Sequence, residues 1–249
     1  MKRRMLAMAI ALICSFATYA QTADAIITKY FENTGGIAKW KALQGIKISA
    51  KVNQGGMEIP VTIYQLKDGR QMTVISVQGT EFKQSVYDGT TLWGINFSNM
   101  KPEKSDAETT ENFKRDLGDF PDPFLNYKAR GFKIELVGKD TVDGTTAFKI
   151  KLTKKPAKVD GKEVENVMFY FFDAESFVPV MTEAVLKSGP GKGATTQIKM
   201  SDYQEVNGLM MPFALSQGAK GGASTPIVVT GIEIDPKVDD AAFIFPAEK

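Results

Sequence analysis

Histidine is the side chain most often used for proton transfer near neutral pH, and this sequence of 249 residues contains none. Its one cysteine, Cys14, lies close to the N-terminus. Without His or Cys in the body of the chain, the usual transition-metal ligand sets are missing. Ser-His-Asp and Cys-His nucleophiles are excluded for the same reason. Carboxylate, Lys or Tyr chemistry survives, as does binding with no chemistry. Asp116, Asp119 and Asp122 form the densest acidic cluster, followed by Asp239-Asp240. Neither has the glycine-centred, ligand-rich loop that calcium requires, so both read as solvated turns. Asp68, Asp88, Asp143, Asp160 and Asn207 each precede a glycine, and that pairing is turn geometry. No glycine loop is placed to cradle a phosphate before a helix. The expectation is no catalytic residue, no metal, no cofactor and no enzyme.

The apolar residues are more informative. Eight methionines follow the N-terminal region (Met57, Met72, Met100, Met168, Met181, Met200, Met210, Met211). Methionine adapts to varied apolar shapes, so they suit either a core or a permissive binding surface. The stretch Ser201–Phe213 reads as strand, Asn207-Gly208 turn, strand, with a bulge at Ser201-Asp202. Leu209, Met211, Phe213 and Leu215 share one of its faces, which needs a core or a ligand to cover it. Pro212 must then lie at an edge or on a non-donating side.

These residues must be held by sheet. From Ile46 the apolar period is two: Met57, Ile59, Val61 and Ile63 alternate with polar neighbours, as do Phe132, Ile134, Leu136 and Phe148, Ile150, Leu152. About a dozen strand candidates at hairpin spacing predict an antiparallel meander. Val167–Phe172 (VMFYFF) is apolar on both faces, which implies cover on both sides or packing on one and a cavity on the other. Before the strands, Thr22 caps a helix with Ile27, Tyr30 and Phe31 on one stripe, ended by Gly35-Gly36. A short second helix spans Ile37–Leu43. Residues 101–131 interrupt the meander, with a helix predicted from Pro102 to Leu117 and Arg130-Gly131 as a helix end. This excursion is a surface insertion or a lid. No composition shift divides the chain, so residues 21–249 are expected to form a single domain.

The first twenty residues have the order of a signal peptide: basic Lys2, Arg3 and Arg4, apolar Met5–Phe16, then Thr18-Tyr19-Ala20. Cleavage is predicted after Ala20. The leader holds three of the 31 basic residues and none of the 29 acidic ones, which leaves a net charge near −1 and no basic excess for nucleic acid. No later stretch reaches the ~20 apolar residues of a membrane span. The expected location is the periplasm, as a soluble monomer.

Three pieces, TADAIITKYFENTGGIAKWKAL, SDYQEVNGLMMPF and IEIDPKVDDAAFIFP, together resemble the outer membrane lipoprotein-sorting proteins of Bacteroidetes-type bacteria, in the LolA/LolB superfamily. The resemblance covers almost all of the chain after the leader. It implies a mainly β fold, an open, unclosed antiparallel β-barrel or half-barrel with covering helices, whose hollow receives lipoprotein acyl chains. It also implies a carrier or chaperone role in lipoprotein sorting, with an outer membrane acceptor as a further partner. The expected lining is Ile59, Val61, Met72, Trp93, Ile95 and Phe97 from the sheet, with Phe113, Leu117, Phe124 and Leu125 from the lid. Arg70 is the candidate for the carrier's lid-locking arginine. A periplasmic sensor or scaffold binding a protein through the same fold is the alternative, and a carboxylate hydrolase the third reading.

Overall fold

The computed structural model describes residues 21–189 and 191–246, so the predicted leader lies outside the described residues. Helix α1 (Ala23–Asn33) starts where Thr22 Oγ1 accepts the Ala25 N–H at 3.2 Å and buries Ile26, Ile27, Tyr30 and Phe31. Gly35 and Gly36, both at positive φ, turn the chain into the short helix α2 (Ile37–Ala42). Trp40 is buried there, with its Nε1–H donating to Thr34 O and Oγ1.

Thirteen strands follow among the described residues. The first group is β1 (Gly45–Gln54), β2 (Met57–Leu66), β3 (Gln71–Val77), β4 (Thr80–Tyr87), β5 (Leu92–Asn96) and β6 (Lys101–Lys104). After a long connection come β7 (Lys133–Val142), β8 (Thr145–Val159), β9 (Lys162–Asp173), β10 (Pro179–Val185), β11 (Thr195–Val206), β12 (Leu209–Ala219) and β13 (Ser224–Ile234). They form one sheet in the order β6-β5-β4-β3-β2-β1-β13-β12-β11-β10-β9-β8-β7. Every described pairing is antiparallel. The sheet is a meander except where β1 pairs with β13, and its free edges are β6 and β7.

The turns follow the sequence signals. Asn207-Gly208, Asp143-Gly144 and Asp160-Gly161 have both residues at positive φ, as a type I′ hairpin turn demands. Asp202 is at φ 52° and has no partner in the β11–β12 register, but the pairing keeps one register from Ser201 with Ala214 to Tyr203 with Pro212, so the expected bulge, an extra residue on one strand, does not form. Pro212 pairs with Tyr203 on β11, while the β12–β13 register begins at Ala214, so no ladder bond is asked of its nitrogen.

The predicted helix at 102–117 starts later than the sequence suggested. Pro102 pairs with Ile95 inside β6, and α3 spans only Ala107–Asp116. Its start is fixed by Asp106, whose carboxylate accepts the Thr109 N–H at 2.7 Å. Residues 126–131 are turns, not the end of a helix.

The sheet curls strongly. Asn112 on α3 bonds Lys158 O on β8 at 2.6 Å, while the adjacent Phe113 packs on Tyr87 of β4 with ring centroids 5.0 Å apart. Nine strand spacings separate β4 from β8, about 43 Å if the sheet were flat at ~4.8 Å each. One helical turn reaches both only because the sheet is an almost closed barrel. The connection between the edge strands spans the remaining gap.

Candidate functional site

Directly opposed residues in a β ladder share a face, so the register identifies the side chains that point into the barrel. Val61 pairs with Ala50 and Ile75, and Ile75 with Phe82. Ile59 pairs with Val52, which pairs with Ile227; Ile227 meets Leu215, and Leu215 meets Met200. This gives contiguous apolar rows from β4 to β11 on one face. Further along that face, Ile46, Phe148, Ile150, Leu152 and Phe172 are fully packed against α1, α2, Phe124 and Leu125. Helix α1 plugs the end near the β11–β12 turn, where Thr34 O accepts the Met210 N–H. Gly35 is required there, because a Cβ would lie 2.2 Å from Gly208 O. Beyond this plug, Ile59, Val61, Ile63, Ile75, Phe82, Phe213 and Leu215 are only half-buried. The barrel is thus an apolar trough, filled at one end and open along the rest.

The connection between β6 and β7 has two parts of different character. Helix α3 buries no residue and is held by polar contacts to the far end of the β8–β9 hairpin. The Glu108 carboxylate accepts the N–H groups of Asp160 and Gly161 at 2.9 and 2.7 Å. Asn112 donates to Lys158 O and accepts its N–H, and Arg115 donates to Pro156 O. In residues 120–132, by contrast, Phe124, Leu125 and Phe132 are buried in the core. Phe124 is 3% exposed and packs edge-on to Tyr170 and Phe172 at 4.8 and 5.7 Å.

The acidic cluster of this connection is an ion-pair clamp. Lys154 Nζ, its side chain 7% exposed, reaches Asp116 at 2.6 Å and Asp119 at 2.7 Å. Arg130 binds Asp119 at 2.8 Å and lies over the Phe132 ring. Asp122 is half-buried, accepting from Tyr30 Oη at 2.9 Å and from the Phe124 N–H at 2.8 Å. Burial raises its carboxyl from 3.8 to about 6, against the lowering effect of those two bonds. The Tyr30 hydroxyl is pushed well above its ordinary range by burial and by Asp122. Among the described residues no group of three acidic, His or Cys side chains could hold a metal.

The ten expected lining residues are divided by the sheet. Ile59 and Val61 lie on the inner face, and Phe113 faces it from α3 through Tyr87. Leu117 sits at the hinge of the connection, where it packs on Gly69. Phe124 and Leu125 are buried in the core at the filled end. Met72 and Trp93 fall on the outer face with Leu66 and Val86, covered by the C-terminal segment; Trp93 Nε1–H donates to Phe243 O at 2.9 Å. Ile95 shares Trp93's side of β5, and Phe97 is an exposed turn residue whose ring packs tilted against Phe82. Arg70 binds Asp68 and Asp240 and lies over Phe243, so it staples the C-terminal segment to the β2–β3 turn and does not lock α3. Sequence reasoning missed Ile63, two residues beyond Val61 in the same alternation, and Lys154, whose burial was invisible in a lysine-rich stretch.

Solved structures share this architecture. A LolA superfamily protein from Nitrosomonas europaea superposes with a TM-score of 0.54 at 14% identity, over 90% of this chain and 98% of that one. The fold is LolA-like. A DUF1329 family protein from Desulfovibrio piger gives 0.55 at 17% identity, over 89% and 96% of the two chains. An outer membrane lipoprotein-sorting protein domain from Vibrio parahaemolyticus gives 0.51 at 9% identity, over 88% and 94%. No protein-family model matches the sequence, and no curated protein does at the sequence level. Among the described residues no helix is long and apolar enough to cross a membrane.

Proposed function

We propose that this chain is an exported carrier of the bacterial envelope that shelters an acyl chain of a lipid or lipoprotein in the open trough. The observation that carries the reading is the run of half-buried apolar side chains, Ile59, Val61, Ile63, Ile75, Phe82, Phe213 and Leu215, on the inner face of a curled sheet. Such a surface is covered poorly by the protein itself and gains ~0.8 kcal/mol for each methylene it removes from water. The largely polar attachment of α3 suits it to be the moving part: swinging it out exposes hydrogen-bonding groups that water can satisfy, gives up the Phe113–Tyr87 contact and the Asp116–Lys154 pair, and leaves Lys154 still paired with Asp119. Release then follows when a more apolar acceptor competes for the chain. Two of the similar structures, a LolA superfamily protein and a lipoprotein-sorting domain, agree with this reading.

The test is binding of a dipalmitoyl lipopeptide to the exported protein and to Val61→Glu. A carboxylate in the centre of the trough would have to be desolvated against the chain. Affinity is expected to fall at least about tenfold, while the melting temperature changes by only a few degrees because the site is half-open to water. Equal binding by parent and variant would remove the trough from the function.

A further inference from the structure

Strand β9 runs from Lys162 to Asp173 and pairs with β8 along nearly its whole length, but β10 pairs only with Met168–Phe172. Past Ala184 the β10–β11 hairpin continues on its own, with Leu186 N–H donating to Ala194 O and Gly193 N–H to Leu186 O. The sheet therefore splits between Lys162–Val167 on one side and Val185, Leu186, Gly193 and Ala194 on the other. A cavity of about 710 Å³ fills the split, within the ~300–1,000 Å³ usual for small-molecule sites. Val164, Val167, Phe169, Val185 and Leu186 form its apolar wall, and Val185 is 53% exposed. Val167 and Phe169 lie on the face opposite the trough, since they pair with Thr153 and Lys151 while Leu152 points into the core.

The charges of this cavity do not balance locally. Its three carboxylates are each matched by a lysine: Asp160 by Lys192 at 3.1 Å, Glu165 by Lys151 at 3.3 Å and Glu183 by Lys220 at 3.1 Å. Lys187 has no carboxylate in ion-pair range among the described residues; its ammonium donates to Asn166 Oδ1 at 2.7 Å across the split. Burial, and then the nearby Lys154, hold its pKa below the ordinary range, against a weaker pull from Asp116, which lies beyond ion-pair range. An apolar wall ending at a partly buried, under-compensated ammonium fits a ligand with a long chain and one anionic end.

We propose that the split between β9 and β10 is a second ligand site, separate from the trough, for a long-chain carboxylate. The chain lies against Val164, Val167, Phe169, Val185 and Leu186, and the carboxylate pairs with Lys187. An extended peptide added to the open edge of β9 is the weaker fit, because it would have to displace the Lys187–Asn166 bond that bridges the gap.

The experiment titrates the exported protein with ¹³C-carboxyl dodecanoate by NMR, with dodecan-1-ol as the neutral control. Lys187→Met is expected to weaken dodecanoate at least about tenfold while binding the alcohol as the parent does. Val185→Glu, at a half-exposed position that does not endanger folding, is expected to abolish binding of both at this site. Val61→Glu, which blocks the trough, should leave the Lys187-dependent binding intact. Dodecanoate affinity unchanged in Lys187→Met, loss of all binding in Val61→Glu alone, or no binding by the parent would each overturn the proposal. So would an acidic peptide that displaces dodecanoate from the parent but not from Lys187→Met.

Discussion

Replacing Asp122 by Asn tests the account of how the connection is fixed to the helices. Folded Asp122 keeps its proton up to about pH 6, whereas an ordinary aspartate releases it near 3.8. Between those values the folded chain binds more protons than the unfolded one, so raising the pH drains stability from this site. The contribution is fully present below 3.8 and gone above about pH 6. At about 1.36 kcal/mol per pH unit the gap is worth about 3 kcal/mol. In Asp122→Asn the amide would keep the shape and the bond from the Phe124 N–H, and Tyr30 Oη can turn to accept from its NH₂ group. The variant lacks only the titration. Carboxylates with lowered pKa, such as the hydrogen-bonded Asp88 and Asp173, act in the opposite sense but are common to both proteins and cancel. Urea unfolding of parent and Asp122→Asn should therefore diverge by about 3 kcal/mol between about pH 3.5 and about pH 7.5, the parent losing ground. In melting temperature that is about 6–12 °C for a chain of this size. A stability difference that stays flat across this range would refute the raised carboxyl.

Phe124→Ala should destabilise the protein by about 3–5 kcal/mol, as loss of a core aromatic does, measured by chemical denaturation. Trp93 is 2% exposed under the C-terminal segment, so its emission should not move when an acyl ligand is titrated. A blue shift removed by Trp93→Phe would place the ligand on the outer face. Intact-mass measurement of the exported protein should begin at Gln21, and retention of residues 1–20 in a membrane fraction would refute export with cleavage.

Local chemistry made the strands and turns legible in the sequence. Asn207-Gly208, Asp143-Gly144 and Asp160-Gly161 carry their turn geometry in two residues, and period two marks the strands between them. Period two separates two faces but does not say which one meets the helices. Met72 and Trp93 alternate as convincingly as Val61, yet Asp240–Phe243, far along the chain, covers them on the outside. The same limit applied to the connection. Phe113 and Phe124 look alike in sequence, but α3 is held by Glu108, Asn112 and Arg115 at the β8–β9 hairpin, while Phe124 packs edge-on against both Tyr170 and Phe172. The VMFYFF run was the one segment that announced two roles: Phe172 packs under α1 and Phe169 opens onto the outer cavity.

The pairing of β1 with β13 sets the order in which this barrel can assemble. Every other ladder joins neighbours in sequence, so β1–β6 and β7–β13 can each zip as hairpins with short loops. Only the β1–β13 seam, Ile46 against Ile234 and Val52 against Ile227, must wait for the two ends of the chain to meet. That closure is entropically modest, since each doubling of a loop adds only about 0.6 kcal/mol, but it is slow compared with hairpin formation. Until it happens, β1 and β13 are unpaired edges with apolar faces, the points at which another chain could add. Substitutions that weaken the seam, such as Ile48→Pro, should therefore appear first as aggregation during refolding, with both half-barrels already formed.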